Sequence, residues 1–171
     1  MSLSIGDPVP TFTLPAAEGG ESGLGEHTPA VVVFTCNHCP YALAWHERIL
    51  DVARDVDVPL FLINPNDGEK YPRDSFAAMK QRVEADGGWP APYLRDEDQA
   101  VARAFGAKTT PDVFVVAGDG TLAYRGAPDR DHEEPGEHAA WLRGAIDAVV
   151  DGRPADPAET KPVGCSVKWR G

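Results

Sequence analysis

Two cysteines, Cys36 and Cys39, flank the dipeptide Asn37-His38 inside the stretch VVVFTCNHCPYALAWHERIL, residues 31–50. Cysteine pairs can bind a metal, brace a fold or carry out thiol–disulfide exchange. Two intervening residues in a first helical turn let the two sulfurs approach closely enough to close a disulfide. The spacing therefore favours redox chemistry, with Cys36 as the attacking thiol and Cys39 as the resolving thiol.

The segment around Cys36 predicts an activated sulfur. A helix that begins here would direct unpaired backbone N–H groups and its dipole toward the cysteine, which favours the thiolate. His38 adds a donor that is positive when protonated and would tune the pKa of the pair. Pro40 is tolerated this early in a helix, and it leaves the carbonyl of Cys36 without a helical donor.

The elements that must position this pair follow from hydrophobic patterning. The apolar run Ala30 to Phe34 predicts a buried strand, and a helical apolar spacing follows Pro40. A second apolar run, Leu60 to Ile63, completes a strand–helix–strand unit whose strands should be parallel. The remaining predictions are a strand over 11–14, a loop over 18–26, helices over 74–85 (capped by Asp74), 98–105 (ended by Gly106) and 137–150, and a hairpin of strands 112–117 and 121–125.

Length and charge limit the classes of function. The chain of 171 residues is predicted to be one domain, with a core over about 6–150 and a proline-rich tail over 151–171. Its formal net charge of −11 argues against nucleic acid as a partner. No segment is long and apolar enough to predict a membrane span or a secretory signal, so we expect a cytoplasmic location, no membrane partner and mostly reduced thiols.

Several motifs resemble the thioredoxin-like superfamily, and in particular its redoxin or peroxiredoxin-like (AhpC/TSA-type) branch. They are the Cys-x-x-Cys after a central strand, Thr110-Pro111 before another strand, and the hairpin turn Gly118-Asp119-Gly120. The resemblance implies an α/β fold: a central mixed sheet flanked by helices, with an N-terminal extension and a helical insertion. It also implies a cis bond before Pro111 and a substrate-binding role for Thr110 and Pro111, whose backbone would pair with an extended substrate.

The motif departs from that of minimal thioredoxins at three places. Thr35 stands where they carry Trp, and Asn37-His38 where they carry Gly-Pro. Ala30 replaces a buried acid that assists proton transfer. A histidine in the second intervening place is similar to oxidising disulfide-exchange enzymes, so the direction of electron flow stays open.

Three alternatives to thiol exchange remain. Structural zinc normally needs four paired ligands, and no second pair follows, although His46 is a candidate third ligand. A thioredoxin-fold copper chaperone would use both cysteines and a distant histidine. A peroxiredoxin-like hydroperoxide reductase would need a threonine where Val33 stands, with Arg95 or Arg125 near the cysteine.

The third cysteine, Cys165, has two interpretations. It is either an unreactive tail residue or, if the tail folds back over the domain, an additional resolving thiol close to Cys36. The histidines of His132 to His138 do not form a metalloprotease helix, because Pro135 and Gly136 interrupt it.

The sequence thus predicts a monomeric or weakly associating thiol–disulfide oxidoreductase. Its substrate would be a protein or small-molecule disulfide or thiol, and an external thiol reductant such as thioredoxin would restore it. No organic cofactor and no metal is implied.

Overall fold

A five-stranded mixed sheet lies at the centre of the computed structural model, which describes residues 3–171. The strands of the chain are β1 (Thr13–Pro15), β2 (Glu21–Gly23), β3 (Ala30–Phe34), β4 (Leu60–Asn64), β5 (Tyr93–Arg95), β6 (Thr109–Thr110), β7 (Asp112–Val116), β8 (Leu122–Gly126) and β9 (Cys165–Ser166). The helices are α1 (Pro40–Asp55), α2 (Phe76–Ala85), α3 (Ala100–Phe105) and α4 (Ala140–Val150), with 3₁₀ turns at Pro72–Asp74 and Pro135–Glu137.

The central sheet has the strand order β5-β4-β3-β7-β8. Strand β3 is parallel to β4, as the strand–helix–strand pattern predicts, and antiparallel to β7. All five residues of β3 are buried, because its two faces contact separate apolar clusters. Val31 and Val33 pack with α1 and α4, whereas Val32 and Phe34 pack with Phe105 on the opposite side. The α/β architecture with helices on both faces therefore agrees with the prediction.

Two local predictions are wrong, and one strand was missed. The segment over 18–26 is not a plain loop, since β2 lies within it and pairs with β1. Helix α2 begins at Phe76 and is capped by the hydroxyl of Ser75, which accepts from the N–H of Ala78. Asp74 therefore does not cap it; its carboxylate is turned inward and fully buried. Strand β5 was not predicted, because its three residues follow prolines and carry no run long enough to show a period.

The tail folds back over the domain. Residues beyond α4 cross the sheet edge at β8, where Arg125 and Glu159 form a bridge, and β9 then pairs antiparallel with β6. Within residues 3–171, none of the helices combines the length and apolarity that crossing a bilayer would need.

Candidate active site

The two cysteines of the motif lie between β3 and α1. Strand β3 ends at Phe34 and α1 begins at Pro40, so Cys39 is the residue that caps the helix. Cys36 lies three residues earlier, in the connecting loop. The prediction that Cys36 itself stands at the helix start is therefore wrong, and the stabilising helix N-terminus faces Cys39. Pro40 occupies the first helical position, where the N–H that proline lacks would have no partner within the helix.

Thr110 contacts both sulfurs. Its hydroxyl lies 3.3 Å from Sγ of Cys36, and its carbonyl accepts a hydrogen bond from Sγ of Cys39 at 3.2 Å. The peptide bond between Thr110 and Pro111 is cis. The structure thus brings Cys36, Cys39 and the Thr110-Pro111 segment together in one buried cluster, in which each cysteine is only 1% exposed.

A hydrogen bond between Cys36 and Cys39 shifts the pKa values of the two thiols in opposite directions. The pKa of Cys39 falls from 9.0 to about 4, first because the thiol of Cys36 donates to it. Further donors are Cys165 and the backbone N–H groups of Ala42 and Cys165. The pKa of Cys36 is raised, by this same hydrogen bond with Cys39, by burial and by the charge of Asp74. The reduced pair is therefore expected to lose its first proton from Cys39 at the helix start, and the hydrogen bond from Cys39 to the Thr110 carbonyl belongs to the protonated form.

Asp74 is the site residue that sequence reasoning missed. Its carboxylate accepts hydrogen bonds from the backbone N–H of Asn37 at 2.7 Å and from the side-chain amides of Asn64 at 3.1 Å and Asn66 at 3.0 Å. Nδ1 of His38 lies 2.6 Å from Oδ2 of Asp74, at ion-pair distance. A buried acid is thus supplied from the insertion after β4 rather than from position 30 on β3, where the residue is alanine.

Both the amide nitrogen and the amide oxygen of the Asn37 side chain form hydrogen bonds. Its amide donates to the carbonyl of Arg73 at 2.7 Å, while its oxygen accepts from Arg82 at 2.8 Å and from the hydroxyl of Tyr93 at 2.7 Å. Arg82 also donates to the carbonyl of Cys36 at 3.3 Å, the group that Pro40 leaves unpaired. These contacts hold the loop between the two cysteines in one conformation. The only signal in the sequence for this role is the unusual polar pair Asn37-His38.

The histidines divide between the site and the core. His38 is partly exposed, and its ring stacks on Tyr71 with centroids 5.8 Å apart. His46 packs against Trp89, where burial lowers its pKa to about 4, and its ring is not among the donor groups gathered around Cys36. His132 contacts Tyr41 and lies outside the thiol cluster.

Cys165 lies within reach of the motif, but beside Cys39. It is paired with Thr110 across the β6–β9 ladder and packs on the cluster of Cys36, Cys39 and Ala42. Burial and the neighbouring Cys39 raise its pKa to about 11. The tail thus folds back as the second interpretation requires, and the thiol that it brings contacts Cys39. A resolving role for Cys165 stays a prediction.

Residues 3–171 contain one set of three clustered metal-ligating atoms. Donor atoms of Cys36, His38 and Asp74 lie within 4.8 Å of one another, and such a sulfur, nitrogen and oxygen set could hold an ion such as zinc. Both carboxylate oxygens of Asp74 already accept a hydrogen bond from an asparagine. The position of Asp74 therefore has a structural explanation without an ion.

The arginines named for a peroxidase are engaged elsewhere. Arg95 is buried and donates to the carbonyls of Asp74 and Asn66. Arg125 lies against Asp112 and over the ring of Phe114. The guanidinium nearest the motif is that of Arg82, which contacts the main chain of Cys36.

We expect Asp74→Asn to lower the free energy of unfolding by about 2–4 kcal/mol, because the new amide would place a donor against the donors of Asn37, Asn64 or Asn66. Urea unfolding of the reduced protein measures this. The matched control is Asp51→Asn, which removes an exposed carboxylate paired with Arg54 and should change stability by less than about 0.5 kcal/mol. Equal losses in both variants would contradict the structural role of Asp74.

The fold and the paired thiols define a thioredoxin-like redox protein. The model of the AhpC/TSA family matches residues 5–125, and the chain belongs to that family. A hypothetical protein from Sinorhizobium meliloti 1021 is 31% identical, with a TM-score of 0.90 over 100% of this chain and 97% of that one. An uncharacterized conserved protein from Geobacillus kaustophilus is 35% identical, with a TM-score of 0.90 over 98% of this chain and 93% of that one.

A more distant structure shows the fold alone. The peroxidoxin BcpB from Mycobacterium tuberculosis is 19% identical, with a TM-score of 0.62 over 88% of this chain and 99% of that one. No curated protein matches the chain in sequence.

Proposed function

We propose that this protein is a thiol–disulfide oxidoreductase in which Cys36 exchanges with a partner disulfide and Cys39 resolves the mixed disulfide. The observation that carries the proposal is geometric: two neighbouring sulfurs at a helix start both contact Thr110, with Cys36 3.3 Å from its hydroxyl and Cys39 3.2 Å from its carbonyl. Structural cysteines have no need of such an arrangement, whereas exchange requires it.

The unequal pKa values support this division of labour. In thiol–disulfide exchange a sulfur of low pKa is the better leaving group, while nucleophilicity rises with the pKa of the attacking sulfur. Cys39, with a pKa of about 4, is therefore suited to leave when the Cys36–Cys39 disulfide is opened. By microscopic reversibility it is also the sulfur that closes that disulfide, and Cys36 is the sulfur joined to the partner.

Cys36 needs a route for its proton, because its pKa is raised. The His38–Asp74 pair lies within 4.8 Å of its sulfur and offers a base at the correct place. The thiolate of Cys36 then attacks one sulfur of the partner disulfide, and the other partner sulfur leaves as a thiolate. Cys39 attacks Cys36, the partner's second thiolate leaves, and the dithiol has been oxidised as the partner disulfide is reduced.

Substrate binding is assigned to the backbone of Thr110 and Pro111, which borders both sulfurs. The partner is a protein or small-molecule disulfide or thiol, and an external thiol system such as thioredoxin sets the resting state. We place this reaction in the cytoplasm. A specialised peroxidase is not proposed, since neither Arg95 nor Arg125 contacts a cysteine.

The stabilised thiolate also supports one direction of electron flow between the motif and its partner. Every donor to Cys39 stabilises the reduced form over the disulfide, and this raises the reduction potential. We expect the Cys36–Cys39 pair to equilibrate with glutathione at a potential above the roughly −270 mV of thioredoxin, near −200 mV or higher. The protein would then oxidise dithiols more readily than it reduces disulfides.

Mass spectrometry of alkylated protein from glutathione redox buffers measures that potential. Cys165→Ser serves as the control that restricts the count to the motif. A potential at or below that of thioredoxin would reverse the predicted direction while leaving exchange itself intact. The absence of any Cys36–Cys39 disulfide in oxidising buffer would contradict the proposed function.

A further inference from the structure

The tail segment over residues 161–166, which we name the strap, is held at both ends. At one end, the hydroxyl of Thr160 accepts from the N–H of Ala127 at 3.0 Å and lies 2.6 Å from the hydroxyl of Tyr124. At the other end, Val167 is buried and its N–H donates to the carbonyl of Lys108 at 3.1 Å. Between these anchors the strap contributes a strand of only two residues, β9.

The strap occupies the backbone edge that we assign to the substrate. Within β9, Cys165 pairs with Thr110 and Ser166 pairs with Thr109, both antiparallel. Cys165 packs on Cys39, and both motif cysteines are 1% exposed beneath this covering. The strap thus forms part of the cover that an external disulfide has to displace to reach these sulfurs.

Glycine is required just before Cys165. A Cβ on Gly164 would lie 2.3 Å from the carbonyl oxygen of Thr110 and 2.8 Å from its carbonyl carbon. These are backbone atoms beside the sulfurs and cannot move aside as a flexible side chain would. Any other residue at this position would prevent the strap from lying flat on Thr110.

We propose that the strap is an internal occupant of the partner site, and that the external partner is an extended segment with glycine directly before its cysteine. This inference rests on the proposed function. The partner strand displaces β9, pairs with Thr110 and brings its own sulfur to the motif. Because β9 has only two residues, this displacement is a local opening and leaves the rest of the fold unchanged.

The first test is alkylation of the reduced protein. Gly164→Val should lift the strap and increase the alkylation rates of Cys36 and Cys39 by about tenfold or more, since local opening limits access to them. Gly171→Val is the matched control, because a Cβ there contacts nothing. Gly164→Ala is a milder second variant, and thermal unfolding of each confirms the fold. Unchanged rates in both Gly164 variants would overturn the proposal.

The second test uses peptides as partners. An octapeptide of residues 162–169 is converted at its cysteine to the mixed disulfide with 2-nitro-5-thiobenzoate. Cys36 attacks the peptide sulfur and the coloured thiolate leaves; Cys39 then attacks Cys36 and releases the peptide thiolate. With the pre-reduced Gly164→Val protein in single-turnover reactions, we expect the second-order rate constant for release of the coloured thiolate to be about tenfold higher for this peptide than for one with valine before the cysteine.

The outcomes separate this inference from the proposed function. Equal single-turnover rate constants for the glycine and valine peptides would overturn the inference alone, provided that both peptides react. If neither peptide reacts, and a small aromatic disulfide also fails to oxidise the motif in every variant, then the exchange activity itself is contradicted, and this inference with it.

Discussion

Cys36→Ser is expected to abolish thiol–disulfide exchange, with a loss of about a thousandfold or more, because the sulfur that forms the mixed disulfide is removed. Turbidimetric insulin reduction driven by dithiothreitol measures this activity over the uncatalysed background. The Ser hydroxyl can keep the contact with Thr110, so the fold should be unaffected. Near-ultraviolet circular dichroism checks that expectation.

Cys39→Ser is the matched variant and should behave differently. It retains the attacking sulfur but cannot resolve, so a mixed disulfide between Cys36 and the partner should accumulate and be visible by non-reducing electrophoresis. Cys165→Ser should retain turnover. If Cys36→Ser instead accumulates the mixed disulfide, the attacking sulfur is Cys39, and the two roles are exchanged.

The reduced protein is expected to keep one thiolate far into the acidic range. Because the pKa of Cys39 is lowered from 9.0 to about 4, its ultraviolet thiolate absorbance should persist at about pH 6, where an ordinary thiol is protonated. Absorbance titration of the reduced protein measures this. The signal should be lost in Cys39→Ser, because burial and the charge of Asp74 still disfavour the thiolate of Cys36.

The same titration affects stability with a definite sign. A lowered pKa in the folded state contributes stability that is complete above the unfolded value of 9.0 and is lost as the pH falls to about 4. The raised pKa of Cys36 contributes below its unfolded value of 9.0 and is lost as the pH rises through its folded value. Urea unfolding should therefore show the reduced protein losing stability from neutral pH down to about pH 4, beyond any loss in the disulfide form. Parallel curves for the two forms would contradict the assignment.

Much of the scaffold could be predicted because it depends on local patterns. Strand β3, the existence of a helix after Pro40, the hairpin of β7 and β8, and the αL glycine Gly106 that ends α3 all follow from apolar runs or turn chemistry. The cysteine spacing likewise indicated a pair of adjacent sulfurs. In each case the determining contacts lie within a few residues along the chain.

The features that were predicted wrongly or missed depend on contacts between distant segments of the chain. Asp74 carries the local signature of a helix cap, and only the approach of Asn37, Asn64 and Asn66 makes it a buried acid of the site. The placing of Cys36 before the helix, and of Cys165 against Cys39, depends equally on where other segments end. A single sequence contains no local signal for contacts between residues that are far apart along the chain.

The outer strands of the central sheet are both partly covered by the chain itself. A bridge from Ala16 to Leu94 shields β5, while Glu159 and Pro8 bridge to β8 and the residue before it. The unpaired N–H and C=O groups of an exposed edge strand can pair with a strand of another molecule and so lead to aggregation. Short segments that cover the edge are a common way to prevent this. The bridges therefore shorten the unpaired edges of β5 and β8, and this should lower the tendency of the protein to aggregate by extending its central sheet.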